Sequence, residues 1–553
     1  MFLTDGIAGA CFCFPLLMRN DVSISNSNMK KIFFSIAMAS LSLLAMGCGD
    51  YAINGGDFNS GWTTNDIPED PNNQSGKLKP EELAAKKAPL YWTVYEYGRM
   101  AEMAHREQNM PKEIWQKNIN WVATNLLPYG YDMVCTDGFM AMEGDFSANH
   151  PYMTKYAHIP LTELVAMCKA KGLKLGVYDN PLWVHGNPEC IIEGTSHKVK
   201  ELFYEQGRDQ VKNPHADGDI FQWIVPSHRG AKEYIDGFFK YFKGLGVDFI
   251  RMDFMCLFED GTRGGGASGQ GRGYGSKEYR LALQYIAEAA KKYGVFTSIV
   301  MPNMKEHGKY EAALGNMVRI VDDTCEGGWD HVSARLRGAN HIKKDEWPSA
   351  NNQFDGFVYW SDITGRGKVI PDGDFLLMRR TNTDEERQST ISLQLMAGGP
   401  VAVADQYNTI GYDANSIAWN DYSYNDSYYN DTRAQHNVSF YQNEELLALN
   451  KDKFVGKPLS QNIALETNGA GQQVGKDANS QIWYGRMSNG DYVVALFNRE
   501  DTPQDRAVEF SQLGINGRMK MRDLWTHTDE GETTRLSARL APHACKVVKL
   551  SKP

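Results

Sequence analysis

The repeating order of the chain limits its fold more than any other feature of the sequence. From Leu90 onward, short runs of β-branched and aromatic residues alternate with longer segments whose apolar residues recur at helical spacing. Strands that alternate with helices pair in parallel, and eight such units in roughly 360 residues predict a (β/α)8 TIM barrel of the α/β class. An open, doubly wound parallel sheet is the alternative architecture. The eight predicted strands are residues 91–96, 131–137, 174–179, 247–254, 295–301, 317–323, 357–362 and 400–405.

The sequence changes character after about Lys453. Short strand-like runs, such as the one in QIWYGRMSNGDYVVALFNRED, are separated by Asn-Gly and Glu-Gly turns, and no helix-period segment of comparable length follows. This pattern predicts a C-terminal antiparallel β-sandwich. We therefore expect a barrel over residues 89–452 and a sandwich over residues 453–553.

The first 48 residues have the features of an upstream extension followed by a signal segment. Met29-Lys30-Lys31 precedes the apolar run IFFSIAMASLSLLAMG, which ends at Cys48 and is short for a membrane span. A basic start, a short apolar run and a small residue before cysteine resemble a bacterial lipoprotein signal, with Cys48 lipidated; an uncleaved signal anchor is the alternative. Residues 49–88 are rich in Gly, Asn, Asp and Pro and predict a flexible tether. These features predict an exported periplasmic or cell-surface lipoprotein, held to the membrane by its lipid alone.

Charge and cysteine spacing exclude several classes of partner. The chain has 68 acidic and 58 basic residues, with a net charge of −10, and it lacks a Lys/Arg block that could follow a phosphate backbone. Nucleic acid is therefore excluded as a partner. The cysteines form no C-x-x-C pair, so neither a zinc ribbon nor a thioredoxin-type site is expected. The sequence leaves the disulfide pairing and the oligomeric state open.

Two acidic residues close predicted strands on the same face as an arginine. In GVDFIRMDFMC, alternation places Phe249, Arg251 and Asp253 on one side of the strand, and Asp248 opens the strand at the other end. In MVRIVDD the same alternation places Arg319 and Asp323 together. Barrel chemistry occurs at the carboxyl ends of the strands, so Asp253 and Asp323 are the candidate catalytic residues. We expect the charge of Arg251 to keep Asp253 ionised.

Two inward carboxylates on nearby strands suit a glycosidase. One carboxylate attacks the anomeric carbon, and the other donates a proton and later removes one. If the enzyme retains the anomeric configuration, the two carboxyl groups lie about 5–5.5 Å apart. The polar and aromatic residues expected to complete a sugar-binding cup are Tyr95, Asp137, Tyr178, Trp360 and Asp362.

Several motifs resemble glycoside hydrolase family 27, the α-galactosidase (melibiase) and isomaltodextranase group. YFKGLGVDFIRMDF is similar to the family's nucleophile strand, VRIVDDTCEGGW to its Arg-x-x-x-Asp segment and SLQLMAGGPVAVADQYNTIG to its eighth strand unit. MSNGDYVVALFNRED and DLWTHTDEG resemble its C-terminal β-domain. The resemblance spans roughly residues 90–550 and implies a retaining α-glycosidase without metal or cofactor. It also implies that Asp253 is the nucleophile and Asp323 the acid/base, with Arg319, Arg251, Tyr178, Tyr95 and Asp137 contacting the glycone.

The departures from the family pattern concern the sugar. Where typical α-galactosidases carry two adjacent aspartates, this chain has Asp137-Gly138, and where members usually have Lys-x-Asp it has Arg251-x-Asp253. The leading hypothesis is an α-galactosidase-type enzyme acting on oligosaccharides or polysaccharides. An isomaltodextranase-like α-glucan hydrolase or a β-L-arabinopyranosidase is the alternative, and N-acetylgalactosamine is a further candidate glycone. A non-catalytic glycan-binding surface lipoprotein is the rival from another class.

Overall fold

The computed structural model describes most of the chain beyond residue 86. The predicted lipidation site Cys48, the signal segment and the tether up to residue 86 lie outside the described residues. Within the described part, no helix is both long and apolar enough to cross a membrane. The described residues are 87–103, 109–137, 149–156, 158–203, 222–263, 266–267, 273–324, 328–333, 342–412, 429–463, 465–467, 473–475 and 478–553.

Eight parallel strands form the barrel. They pair in chain order, and the first strand also pairs with the eighth. The predicted (β/α)8 fold is confirmed, although each strand is shorter than its apolar run in the sequence. The strands are β1 (Leu90–Thr93), β2 (Met133–Cys135), β3 (Lys174–Tyr178), β4 (Phe249–Met252), β5 (Phe296–Ile299), β6 (Met317–Arg319), β7 (Ile370–Asp372) and β8 (Val401–Val403).

Leu376 closes the ring between β7 and β8. Its amide donates to the carbonyl of Ala402 at 2.8 Å, and its carbonyl accepts from the amide of Ala404 at 2.9 Å. The barrel therefore closes through a residue that lies beyond the end of β7, because β7 itself pairs only with β6 among the named strands.

The seventh strand is not where the sequence pattern placed it. Residues 357–362 are the end of a helix and a turn of 3-10 helix, and the strand is the later segment Ile370–Asp372. The side chain of Asn352 accepts from the amide of Asp355 at 2.9 Å and so caps the amino end of this helix. The aromatic residues of 357–362 lie on helical segments and pack into the core from there. Their strand propensity was therefore misleading.

Helices follow the strands and cover the barrel. Four of the described helices end at glycines with positive φ, which are Gly246, Gly261, Gly294 and Gly398. The sequence predicts such ends at Gly246, Gly294 and Gly398. The helices are α1 (Tyr95–Met103), α2 (Lys112–Asn125), α3 (Leu161–Lys169), α4 (Ala231–Leu245), α5 (Met255–Asp260), α6 (Gly275–Tyr293), α7 (Lys305–Leu314), α8 (Trp329–Ser333), α9 (Gln353–Tyr359), α10 (Asp384–Ala397), α11 (Asp431–Ser439) and α12 (Glu444–Lys451).

Alternation along the strands divides the barrel core into two apolar clusters. Phe249 belongs to the cluster inside the barrel, together with Tyr91 and Met317 from other strands. Ile250 and Met252 belong to the larger cluster that lies between the strands and the helices. The predicted facing of β4 is therefore confirmed, and it directs Arg251 and Asp253 to the inside.

The C-terminal part is an antiparallel sandwich, as predicted. One six-stranded sheet has the order β9-β12-β13-β18-β15-β16, and β14 pairs with β17 in a second sheet. The predicted domain boundary near residue 453 stays a prediction. The strands are β9 (Lys457–Pro458), β10 (Leu465–Thr467), β11 (Gln473–Gly475), β12 (Ile482–Arg486), β13 (Tyr492–Phe497), β14 (Gln504–Glu509), β15 (Met519–Asp523), β16 (Thr528–Thr533), β17 (Arg535–Leu540) and β18 (Cys545–Ser551).

The sandwich is attached to the barrel by both apolar and polar contacts. Alternate residues of β13 point to opposite sides: Val494 packs inside the sandwich, whereas Val493 and Phe497 join the apolar cluster of the barrel. Arg499 adds a buried ion pair with Asp355, with Nη1 and Oδ1 2.8 Å apart. Barrel and sandwich accordingly belong to one compact unit.

The amino ends of the strands form the floor of the barrel, opposite the carboxyl ends. Ala88 lies there, just before β1, and its carbonyl accepts a hydrogen bond from Asn450 at 2.9 Å. Lys87 lines a small floor cavity together with Lys368 and Gly398, which lie near the amino ends of β7 and β8. The chain therefore joins the barrel at its floor.

Candidate active site

Asp253 follows the last residue of β4 and faces into the mouth of the barrel. Tyr178, the last residue of β3, donates its hydroxyl to Oδ2 of Asp253 at 2.8 Å. The amide of Phe254 donates to Oδ1 at 2.7 Å, and Asn180 donates to the Asp253 carbonyl at 2.9 Å. Both carboxylate oxygens therefore carry a hydrogen bond, which fixes the orientation of the group.

Burial governs the ionisation of Asp253. Removal from water raises the pKa of this carboxyl above its usual value, and the charge of Asp323 raises it further. Arg251, the Phe254 amide and the Tyr178 hydroxyl lower the pKa, but their combined effect is smaller than that of burial. Arg251 therefore acts on this pKa in the expected direction, and the expectation that Asp253 is ionised stays a prediction.

Asp323 is the second carboxylate at the mouth, and Arg319 at the end of β6 holds it. Nη2 of Arg319 lies 2.9 Å from Oδ1 of Asp323, and Nε donates to the carbonyl of Val321 at 2.8 Å. The Asp323 side chain is 38% exposed, whereas that of Arg319 is only 2% exposed. In this ion pair the carboxylate of Asp323 is therefore open to solvent, whereas the guanidinium of Arg319 is buried.

Two buried carboxylates that the sequence analysis missed stand behind this pair. Asp372 ends β7, and Asp374 follows it; both are nearly inaccessible to solvent. Oδ1 of Asp374 lies 2.7 Å from Nη1 of Arg319, and Oδ2 accepts from the amide of Thr324 at 2.7 Å. Burial raises the pKa of Asp374 to about 6, against the opposing effect of Arg319. The signal in the sequence was the Asp-Gly-Asp of IPDGDF, which resembled a loop.

Arg251 is buried among carboxylates inside the barrel. Nη1 lies 2.7 Å from Oδ2 of Asp372, and Nε lies 3.3 Å from Oδ2 of Asp137. The guanidinium also stacks over the ring of Phe375, 4.6 Å from its centroid. Arg251 and the predicted sugar ligand Asp137 therefore meet at the site, and Asp137 is engaged with the arginine.

Three of the predicted binding residues lie elsewhere in the secondary structure than expected. Tyr95 begins helix α1, because β1 ends at Thr93, but its ring still packs against Phe375, with centroids 5.3 Å apart. Trp360 and Asp362 are not on a barrel strand at all. They lie between α9 and the amino end of β7, where Asp362 pairs with His307 at 2.7 Å. The structure thus places Tyr95 beside the site and does not bring Trp360 and Asp362 to it.

The site has the chemistry of paired carboxylates. No group of three or more His, Cys, Asp or Glu side chains suited to a metal ion occurs among the residues that the structure describes. A hydrogen-bonded, partly buried carboxylate and a second, more exposed carboxylate face the same mouth, and the charge of Asp323 raises the pKa of Asp253. Such an arrangement can supply a nucleophile and a proton donor.

Comparison with known proteins decides the family. The model of the α-galactosidase C-terminal β-sandwich domain matches residues 477–550. The isomalto-dextranase of Arthrobacter globiformis is 35% identical over 481 residues, which cover 84% of this chain and 67% of the relative. The chain belongs to glycoside hydrolase family 27. It is therefore an α-glycoside hydrolase.

Other relatives of this family 27 enzyme are more distant. An α-galactosidase of Oryza sativa subsp. japonica is 22% identical over 440 residues, 78% of each chain. The structure of the Arthrobacter globiformis isomalto-dextranase complexed with panose superposes with a TM-score of 0.70 at 32% identity, covering 86% of this chain and 74% of that one. A β-L-arabinopyranosidase from Geobacillus stearothermophilus matches with a TM-score of 0.58 at 18% identity, over 85% and 97% of the two chains. The last match bears on the fold alone.

Proposed function

We propose that this enzyme cleaves α-glucan chains with retention of configuration, with Asp253 as the nucleophile and Asp323 as the acid/base. The observation that carries the proposal is the contrast between the two carboxylates. Asp253 is partly buried and accepts hydrogen bonds on both oxygens, whereas the side chain of Asp323 is 38% exposed beside Arg319. A fixed carboxylate suits attack on carbon, and an accessible one suits exchange of a proton with the leaving group and with water.

The reaction proceeds in two displacements. An oxygen of Asp253 forms a bond to the anomeric carbon as the glycosidic C–O bond breaks, and Asp323 gives its proton to the departing oxygen. Water then attacks the anomeric carbon of the glycosyl ester, Asp323 takes a proton from that water, and Asp253 is released as a carboxylate. Each half inverts the configuration, so the product retains that of the substrate. The two carboxyl groups are expected about 5–5.5 Å apart.

An α-glucan is favoured over a galactoside by two observations. The 35% identical relative is an isomalto-dextranase, whereas the α-galactosidase from rice is 22% identical. At the site itself, Asp137 is followed in the sequence by Gly138 rather than by a second aspartate, and its Oδ2 lies 3.3 Å from the guanidinium of Arg251. A carboxylate that is already paired with a cation is less available to accept a hydrogen bond from a sugar hydroxyl. α-Galactosidase and β-L-arabinopyranosidase activity remain the alternatives.

A substrate panel tests the proposal. Wild-type enzyme is assayed on dextran and on aryl α-glucoside, α-galactoside, N-acetyl-α-galactosaminide and β-L-arabinopyranoside substrates. We expect cleavage of dextran and of the glucosyl substrate, with a product that initially has the α configuration by proton NMR. Preference for the galactosyl substrate, or a β product, would contradict the substrate or the mechanism respectively.

Two variants test the residue roles in the same panel. Asp253→Ala should lose turnover of every substrate, because it removes the carboxylate that attacks the anomeric carbon in the proposed mechanism. Asp323→Ala should lose roughly 10²–10⁴-fold on dextran but far less on an aryl glycoside, because only the poor leaving group needs a proton. Equal losses of activity on both substrates would contradict the assignment of Asp323 as the acid/base. If the wild-type protein binds sugars tightly but cleaves none of them, the alternative of a non-catalytic glycan-binding protein is favoured instead.

A further inference from the structure

A second cleft opens between the barrel and the sandwich, and we call it the junction cleft. It has a volume of about 330 Å³ and receives residues from both parts of the chain. This volume lies at the lower end of the range of about 300–1,000 Å³ that small-molecule sites occupy. The residues that line it include Trp329, Asp330, Arg380 and Asn382 from the barrel and Asp501 and His543 from the sandwich.

Two of the segments that line the cleft are the connections that follow β6 and β7. Trp329 and Asp330 begin α8, the helix that follows β6 and Asp323. Arg380 lies beyond Asp374 in the segment that runs from β7 to α10. Both segments leave the carboxyl ends of their strands, where the site also lies. In the proposed mechanism Asp323 stands on the side of the leaving group. The connection that carries Asp323 also supplies Trp329 and Asp330, which argues for the aglycone side.

One wall of the cleft is ordered by a chain of hydrogen bonds. Nδ1 of His543 lies 2.9 Å from Oε1 of Glu386, and Nε2 lies 2.9 Å from Oδ1 of Asp501. The imidazole stacks on Trp329 with ring centroids 4.6 Å apart and an interplanar angle of 21°. Glu386 also accepts from the amide of Asn382 at 2.7 Å. The wall is therefore formed before any ligand arrives, which lowers the entropic cost of binding.

The mixture of groups fits a neutral, hydroxyl-rich ligand. Arg380 supplies a cation, Asp330 and Asp501 supply carboxylates, and Asn382 offers both a donor and an acceptor. Charges of both signs in one cleft favour neither an anion nor a cation, and the described residues hold no cluster suited to a metal. Sugar hydroxyls both donate and accept, so carboxylate, amide and guanidinium groups can each bond to them.

We propose that the junction cleft is an aglycone-side subsite that binds glucosyl units of an α-glucan beyond the scissile bond. The proposal rests on the α-glucan activity proposed above and assigns the sandwich a part in substrate binding, through Asp501 and His543. A long substrate gains these contacts, whereas an aryl glycoside ends before it reaches the cleft. The cleft thereby favours polymers over short substrates.

The test compares long and short substrates. The double variant Asp330→Ala/Asn382→Ala removes two lining side chains and leaves the His543 wall and the catalytic residues in place. We expect its KM for dextran to rise about tenfold while kcat on dextran and kcat/KM on an aryl α-glucoside stay within twofold of wild type. The matched control is Asp505→Ala/Asn489→Ala, which removes the same two residue types from exposed positions of the sandwich. The control variant should keep the wild-type KM and kcat on both substrates.

The outcomes separate the two proposals. An unchanged KM for dextran, with the wild type active on dextran, overturns the subsite and leaves the proposed function intact. Equal losses on dextran and on the aryl glycoside also overturn it, because they indicate damage to the catalytic centre. A wild-type enzyme that is inert on dextran contradicts the α-glucan proposal itself, and the subsite falls with it.

Discussion

Asp374 connects the acid/base side of the site to the buried charges inside the barrel. Its carboxylate is 2.7 Å from Arg319, which in turn contacts Asp323, and a longer contact of 3.7 Å reaches Arg251. The charges of Asp323 and Asp372 raise the pKa of Asp374. Because the repulsion between two carboxylates is mutual, the negative charge of Asp374 also disfavours the ionised form of Asp323. We therefore propose that Asp374 is a positioning residue that helps Asp323, the proposed acid/base, keep its proton.

The variant Asp374→Asn tests this role through the pH profile. In the proposed mechanism Asp323 must be protonated to assist the leaving group, so activity is expected to fall as pH rises and this carboxyl ionises. Loss of the Asp374 charge lowers that pKa, and the alkaline limb of kcat/KM on dextran should move to lower pH. The control Asp362→Asn removes an exposed carboxylate that lies away from the site and should leave the limb in place. An unmoved limb in a folded Asp374→Asn protein would contradict the coupling.

Among the residues of the site, the sequence predicted the two carboxylates at the mouth better than the two buried carboxylates behind them. Asp253 and Asp323 could be predicted because each follows an apolar strand of clear alternation. Asp372 and Asp374 could not, because β7 is only three residues long and contains a proline, and a glycine separates the two acids. The pairing of Arg251 with Asp372 was hidden for a different reason, because the two residues come from strands that are distant in the sequence.

The elements were predicted in number and order, with one misplaced strand. FVYWSD has the aromatic composition of a strand, but residues 353–359 form helix α9, and the true strand IPD carries almost no apolar signal. Strand ends were also overestimated, which is why Tyr95 was expected on β1 rather than on α1. Local propensity cannot distinguish these cases, because the tertiary contacts that decide them come from other parts of the chain.

Arg499 is the polar anchor between β13 and the barrel helices. Its Nη1 is 2.8 Å from Oδ1 of Asp355, its Nε donates to Ser333 at 3.0 Å and its side chain is 4% exposed. Arg499→Met should lower the free energy of unfolding by about 3–5 kcal/mol, because it leaves the carboxylate of Asp355 buried without its cation.

Urea denaturation followed by fluorescence measures this loss. The control is Arg539→Met, which breaks an ion pair with Asp505 whose two side chains are largely exposed. That change should alter the free energy of unfolding by at most about 1 kcal/mol. Similar small losses for both variants would show that the Arg499–Asp355 ion pair adds little to the stability of the protein.

At the scale of the whole molecule, buried acids make stability depend on pH. Glu311 of α7 is inside the protein, where burial raises its pKa to about 7, although Tyr279 donates a hydrogen bond to it at 2.7 Å. The folded protein thus holds the proton of Glu311 more tightly than the unfolded chain does. Its contribution to stability is fully present below about pH 4.5 and is lost as pH rises towards 7.

Glu311→Gln removes this dependence while keeping a similar shape. Relative to wild type, the variant should gain stability as pH rises from about 4.5 to 8, by up to about 3 kcal/mol. Melting temperatures of both proteins across that range measure the difference. Glu233→Gln, at an exposed position of α4, is the control and should follow the wild type at every pH. A difference that does not change with pH would contradict the raised pKa of Glu311.

The position of Lys87 has a directional consequence for the intact protein. The chain joins the barrel at its floor, beside Ala88, Asn450 and Gly398, whereas Asp253 and Asp323 open at the other end. A force or an attachment that acts through the preceding residues therefore pulls on the floor. Any load carried through those residues is therefore borne at the end of the barrel opposite the two carboxylates.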